Sequence, residues 1–202
     1  WHMVAKLLLA VQEVALQAER AATAETTSGA LRRMYLRVRS GLGHEKPVTE
    51  YGAFPTAPYS HTPPDGGARQ PGMTGQVKEE ILTRRGELGV RVDDGTLGFR
   101  PTLLQAGDFC DRPTTFDHVY VSGDEQTLDL PEGSLAFTVC QVPVVYRRGP
   151  EMGPIVATLA DGTTREIAGT TLPADLSRAV FARDGSVVRL QVTVAVAANQ
   201  AT

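Results

Sequence analysis

The sequence changes its hydrophobic period once, at Gly89, and that change limits what the chain can fold into more than any other feature. Before it, apolar residues recur every three or four positions, the period of a helix with one buried face. After it they alternate, the period of a strand. From Met3 to Ala18 the helical repeat is carried by Val4, Leu7, Leu8, Val11 and Ala15, with Lys6, Glu13 and Gln17 elsewhere on the wheel, which predicts a core-facing helix. A second helix is expected after Thr26, Thr27 or Ser28, any of which can cap it. It carries Leu31, Met34, Tyr35 and Val38 at helical spacing, and Gly41 and Gly43 end it. Arg32, Arg33, Arg37 and Arg39 read as its solvated outer face and not as a polyanion site.

Helical spacing vanishes between Leu42 and Thr74, a stretch holding Pro47, Pro55, Pro58, Pro63, Pro64 and Pro71. Loops of about thirty residues are uncommon inside compact domains and are usually functional. Tyr51, Phe54, Tyr59, His61 and Arg69 give this one the material of a site. A third helix follows from Thr74 through Val77, Ile81, Arg84 and Leu88, with Gly89 as its stop. Beyond it, strands are expected around Leu97 to Leu104, His118 to Val121, Thr127 to Leu130, Leu135 to Val145, Ile155 to Leu159, Arg165 to Ile167, Ala179 to Ala182 and Val187 to Val196. Asp93-Asp94-Gly95, Pro131-Glu132-Gly133, Ala160-Asp161-Gly162 and Arg183-Asp184-Gly185 separate them with turn chemistry. Phe99, Leu103, Leu135, Phe137, Val139, Val142, Phe181, Leu190 and Val192 are the expected inward faces of a sandwich.

Composition closes off several functions. With 20 basic against 23 acidic residues and a net charge of −3, the chain lacks the positive excess that a phosphate backbone demands, so no nucleic acid is expected. No apolar run approaches the roughly 20 residues that span a bilayer, so no membrane is expected either. Cys110 and Cys140 fit no disulfide framework or metal spacing; they read as reduced core thiols and point weakly to the cytoplasm. His2, His44 and His118 share no ligand spacing, no Ser-His-Asp or Cys-His set can be assembled, and Gly66-Gly67 lacks the Lys of a phosphate-cradling loop. No metal or cofactor is expected.

The most informative stretch runs from Tyr59-Ser60-His61-Thr62-Pro63 to Gln70-Pro71-Gly72-Met73-Thr74-Gly75-Gln76-Val77-Lys78-Glu79-Glu80. It joins a rigid turn to the start of a helix, where the Thr74 hydroxyl can cap and Gly75 lets a ligand reach backbone N–H groups. Helical hairpins, a Thr-Gly at the start of a late helix and a following β domain together resemble the C-terminal part of the six-hairpin toroid enzymes, such as the cellobiose and chitobiose phosphorylase group. The resemblance implies an α+β chain. Residues 1–90 would be the last hairpin, the active-site loop and the closing inner helix of an (α/α)6 toroid, and residues 91–202 an antiparallel β-sandwich. It implies Thr74 and Gly75 at a phosphate or sugar oxygen, with Tyr59, His61, Gln70 and Gln76 on the same wall of an oligosaccharide cleft. The chain opens at Trp1 with a helix already under way, so the rest of the toroid, and the general acid, are expected upstream.

Where the phosphorylases continue with small and aromatic residues, this chain has Gln76, Lys78, Glu79 and Glu80. Inverting glycosidases need a carboxylate to activate water, whereas inverting phosphorylases let phosphate take that place. Glu79 and Glu80 are the candidate bases, and a hydrolase is favoured over a phosphorylase. Glu79 is preferred because it lies away from the Val77, Ile81 and Arg84 side of its helix. The bland reading of both is acids favoured by the helix dipole. The rival function is a non-catalytic carbohydrate-binding or structural β-sandwich on a helical stalk.

Overall fold

The computed structural model describes residues 2–41 and 77–196, and the chain divides into two compact units between Glu87 and Leu88. The class is α+β. The first unit holds α1 (His2–Arg20), α2 (Glu25–Gly41) and α3 (Val77–Glu87), with α1 packed on both of the others. Ala5, Leu8, Gln12 and Ala15 form the buried line of α1. Small residues in this line let the neighbouring helices come close. Val4, Leu7 and Val14 turn outward, Leu7 being 52% exposed and Val14 51%. Of the expected stripe, then, Leu8 and Ala15 are buried while Val4 and Leu7 are not. Two apolar lines run side by side on this helix, and its neighbours cover the one centred on Gln12, whose amide they hydrogen-bond.

The second helix starts before its expected caps. Thr27 N–H and Ser28 N–H both donate to the Ala24 carbonyl, at 2.9 and 3.1 Å, so Ala24 is the entry residue. Ser28 sits inside the first turn, its hydroxyl turned back on the Glu25 carbonyl at 3.2 Å. Tyr35 is fully buried; Met34, expected beside it, is exposed.

The second unit opens with the hairpin β1 (Val90–Asp93) and β2 (Thr96–Phe99), and a second hairpin follows from β3 (Thr114–Val119) and β4 (Glu125–Leu130). Asp94 and Gly95 close the first with φ of 48° and 74°, the pair of left-handed residues that a two-residue hairpin requires. Five further strands make one sheet: β5 (Ser134–Val139), β6 (Val142–Gly149), β7 (Ile155–Leu159), β8 (Thr164–Ile167) and β9 (Val187–Ala195). Their spatial order is β5-β6-β9-β7-β8, with β6 and β9 parallel and every other pair antiparallel.

Four strand expectations are corrected, and one of them, His118 to Val121, is strand from Thr114 only as far as Val119. Leu135 to Val145 is two strands, because Cys140 and Gln141 adopt φ of 51° and 66° and turn the chain without a glycine. Leu97 to Leu104 is strand only as far as Phe99. Ala179 to Ala182 is the end of a helix, α4 (Ala174–Ala182), entered at Pro173 and closed by Arg183 with φ of 53°. Leu176 and Val180, four apart, bury its inner face. Ser177 fastens it to β2, accepting from Leu97 N–H at 3.0 Å and donating to the Leu172 carbonyl at 3.3 Å.

Phe99, Val142, Leu190 and Val192 lie in the core of this unit, and Leu135, Phe137, Val139 and Phe181 pack against it partly buried. Leu103 is buried apart from that cluster. Tyr146 meets the edges of Phe99 and Phe137, with ring centroids at 6.1 and 5.1 Å. Its hydroxyl donates to the Leu88 carbonyl at 2.6 Å, and burial pushes its pKa well above the usual phenol range. Each such large side chain taken from water contributes about 1.5–3 kcal/mol. The cysteines are both free, yet neither is in the core: Cys110 is half-buried, and Cys140 is exposed on its turn.

Candidate functional site

Of the residues singled out in the sequence, Tyr59, His61, Gln70, Thr74, Gly75 and Gln76 lie outside the described residues. Glu79 and Glu80 stand in the first turn of α3 and part company there. Glu79 faces inward and is 3% exposed, while Glu80 is exposed. The Ile81 side of this helix, expected to face the core, faces out: Ile81 is 62% exposed. The buried line of α3 is Glu79, Thr83 and Glu87, spaced four apart as helical packing demands but made of polar residues. Gly86 lies on the same side, and a Cβ there would overlap the Gln12 amide.

What α3 meets explains the inversion. The Gln12 amide donates to the Thr83 carbonyl at 2.7 Å and to the Tyr35 hydroxyl at 3.2 Å. Tyr35 donates in turn to Glu87 Oε1 at 2.6 Å. The Arg39 guanidinium joins Glu87 at the same oxygen, and Arg84 holds Oε2 at 2.9 Å. Burial first, and then the Glu87 charge, raise the Tyr35 pKa far above the usual phenol range. The phenol therefore stays a donor. A polar face is buried here because nearly every group on it has a partner.

Both oxygens of Glu87 are engaged, Oε1 by Tyr35 and Arg39 and Oε2 by Arg84, so this carboxylate is held as part of the packing. Glu79 differs. Its Oε2 is buried without a hydrogen-bond partner among the described residues, a costly condition for a carboxylate unless another group is meant to meet it. The Thr83 hydroxyl secures the backbone beneath it, donating to the Glu79 and Glu80 carbonyls at 2.9 Å each. A buried carboxylate on a helix first turn, with one oxygen unmatched, can accept a proton from water or a hydroxyl.

Gln12, Tyr35, Arg39, Thr83 and Glu87 were not singled out as a cluster by sequence reasoning. Two signals were present: Gln12 interrupts the apolar line between Leu8 and Ala15, and Glu87 is an acid in a helix last turn, where the dipole disfavours it. In the second unit, His118 is buried and stacked on Phe116, with centroids at 5.7 Å and both ring nitrogens unpartnered among the described residues. Among the described residues, no three His, Cys, Asp or Glu side chains are placed to hold a metal ion, and no helix is long and apolar enough to cross a membrane. No family model and no curated protein sequence matches the chain.

Proposed function

We propose that the chain is the C-terminal part of a glycoside hydrolase or glycoside phosphorylase that cleaves oligosaccharides with inversion. In this reading α1, α2 and α3 are the last helices of a six-hairpin toroid, and the five-stranded sheet is a layer of its closing sandwich. The observation that carries the reading is Glu79: a buried carboxylate with an unmatched oxygen, four positions after Gly75 in the sequence. Glu79 acts as the base that activates water, and Glu80 stands on the exposed side of the helix. Tyr59, His61, Gln70, Thr74, Gly75 and Gln76 line the sugar cleft, and hydrolysis is favoured over phosphorolysis.

The test uses the full-length protein and release of reducing sugar from an oligosaccharide panel. Glu79→Gln is expected to lower turnover about 100- to 10,000-fold, and Glu80→Gln to change it little. Full hydrolysis in Glu79→Gln would remove the base. Thr74→Val separates the two reactions: a phosphorylase loses about 1–3 kcal/mol of phosphate-dependent transition-state stabilisation, and a hydrolase is indifferent to phosphate.

A further inference from the structure

The β unit carries a trough that none of the residues above uses. Ala106, Gly107, Phe109, Glu132, Gly133 and Arg148 are among the residues that line it, around about 520 Å³. A second hollow of about 530 Å³ shares Glu132, Gly133 and Arg148 and is lined also by Gly149 and Val196. The two hollows adjoin at those shared residues, the second being the more open, and each has the volume of a small-ligand site.

Its walls are held by backbone. Cys110 N–H donates to the Ser134 carbonyl at 2.9 Å, Gly133 N–H to the Cys110 carbonyl at 2.8 Å, and Arg148 N–H to the Gly133 carbonyl at 3.1 Å. Gln105 N–H donates to Asp108 Oδ2 at 2.8 Å and fixes the short turn that bears Gly107. A ligand would therefore meet a preformed surface and would not have to order it.

The charged residues that line the trough are Arg148, Asp111 and Glu132. Among the described residues, Arg148 pairs with neither acid. Guanidinium only donates hydrogen bonds and carboxylate only accepts them. A ligand engaging both must offer acceptors and donors side by side, as vicinal hydroxyls do. An inorganic anion would meet two like charges, and a simple cation would meet Arg148. An extended peptide could answer both charges, but it binds such places by adding a strand to a free edge. Here β6 is flanked on both sides: Arg148 and Gly149 pair with Val194 and Ala195 of β9, and Arg148 N–H is bonded to Gly133.

We infer that this trough binds a short neutral oligosaccharide, with hydroxyls bridging Arg148 to Glu132 and Asp111. The inference stands on the trough's own chemistry and not on Glu79. Phe109 is buried, so no ring face is offered to a sugar and binding rests on the polar contacts.

The experiment is an amide NMR titration of the full chain with cellobiose, maltose, lactose and chitobiose, and separately with triglycine and inorganic phosphate. At least one disaccharide is expected to shift the Gly107, Gly133, Arg148 and Gly149 amides saturably. Nothing lies within 4 Å of a Cβ built on Gly107, so Gly107→Phe fills the trough and abolishes those shifts. Arg148→Gln weakens them about tenfold, with the unfolding midpoint unchanged. Should Gly107→Phe fail to fold, Arg148→Gln decides alone. The proposal is overturned if no disaccharide moves these amides, if the variants respond like the parent, or if only triglycine or phosphate acts. None of these outcomes alters the standing of Glu79.

Discussion

Tyr35 donates its phenolic hydrogen to Glu87 at 2.6 Å across 52 positions of sequence, joining α2 to the last turn of α3. Glu87 is also held by Arg39 and Arg84, so Tyr35→Phe leaves the carboxylate partnered but leaves the Gln12 amide short of one acceptor. The expected cost is about 1–3 kcal/mol, the range for leaving a buried polar group unmatched. Urea unfolding followed through the helical signal measures it.

Gly86 is the helix position where a larger residue has no room, since its Cβ would overlap the Gln12 side chain. Ala gains about 1 kcal/mol over Gly in helix propensity, but the overlap costs about 1–3 kcal/mol and wins. Gly86→Ala is therefore expected to destabilise the parent. In a Gln12→Ala background the overlap is gone, and the same substitution should be neutral or stabilising. A double-mutant cycle reads the change of sign directly.

Large aliphatic side chains on the outer line of α1 carry little of the packing. Leu7→Lys with Val14→Lys should change unfolding free energy by less than about 0.5 kcal/mol. The same pair should lower any tendency to associate, because Val4, Leu7 and Val14 are exposed together. Sedimentation of parent and variant over a concentration series, together with their unfolding curves, checks both halves of the statement.

Acid sensitivity of the β unit is expected to come partly from three exposed carboxylates. The Thr163 hydroxyl and N–H hold Asp161 below the ordinary carboxylate range, the Arg165 guanidinium does the same for Asp175, and the Ser186 hydroxyl and N–H for Asp184. A depressed folded-state pKa means stability that is present above the unfolded value and lost as pH falls through the folded one. These groups should leave stability flat from neutrality to about pH 4 and subtract from it below. Replacing all three by Asn should flatten the acid limb of a pH series of unfolding midpoints.

The parts of this fold that show in the sequence are those written in a single code. The Asp94-Gly95 turn, the limits of β7 and the stop after α3 follow from glycine and alternation, because each reflects local backbone preference. Cys140-Gln141 turns the chain with residues that carry no such mark, so two strands read as one. The segment ending at Ala182 reads as a strand only in a window of four residues; from Pro173 onward, Leu176 and Val180 state the helical period. Least legible was the inner side of α3. Burial of Glu79, Thr83 and Glu87 in place of Ile81 follows from what Gln12, Tyr35 and Arg39 offer across the gap, and no periodicity rule contains that. Glu79 was preferred for lying away from the Val77, Ile81 and Arg84 side, yet it is the buried residue and Ile81 the exposed one; its unmatched oxygen belongs to three-dimensional packing alone.

The position of β9 has a consequence for how this sheet comes into being on the ribosome. Among the described residues the β5–β6 hairpin and the β7–β8 hairpin share no hydrogen-bonded pair; β9 lies between β6 and β7 and is the only described strand bonded to both. It is also the last described strand in chain order. Until residues 187–195 have emerged, the nascent chain holds two separate ribbons, each presenting an open inner edge to whatever strand is near. Closure waits on a non-local, partly parallel insertion, a slow kind of step. A chain stalled before residues 187–195 have emerged would leave those edges bare, and only a complete β9 would seal them.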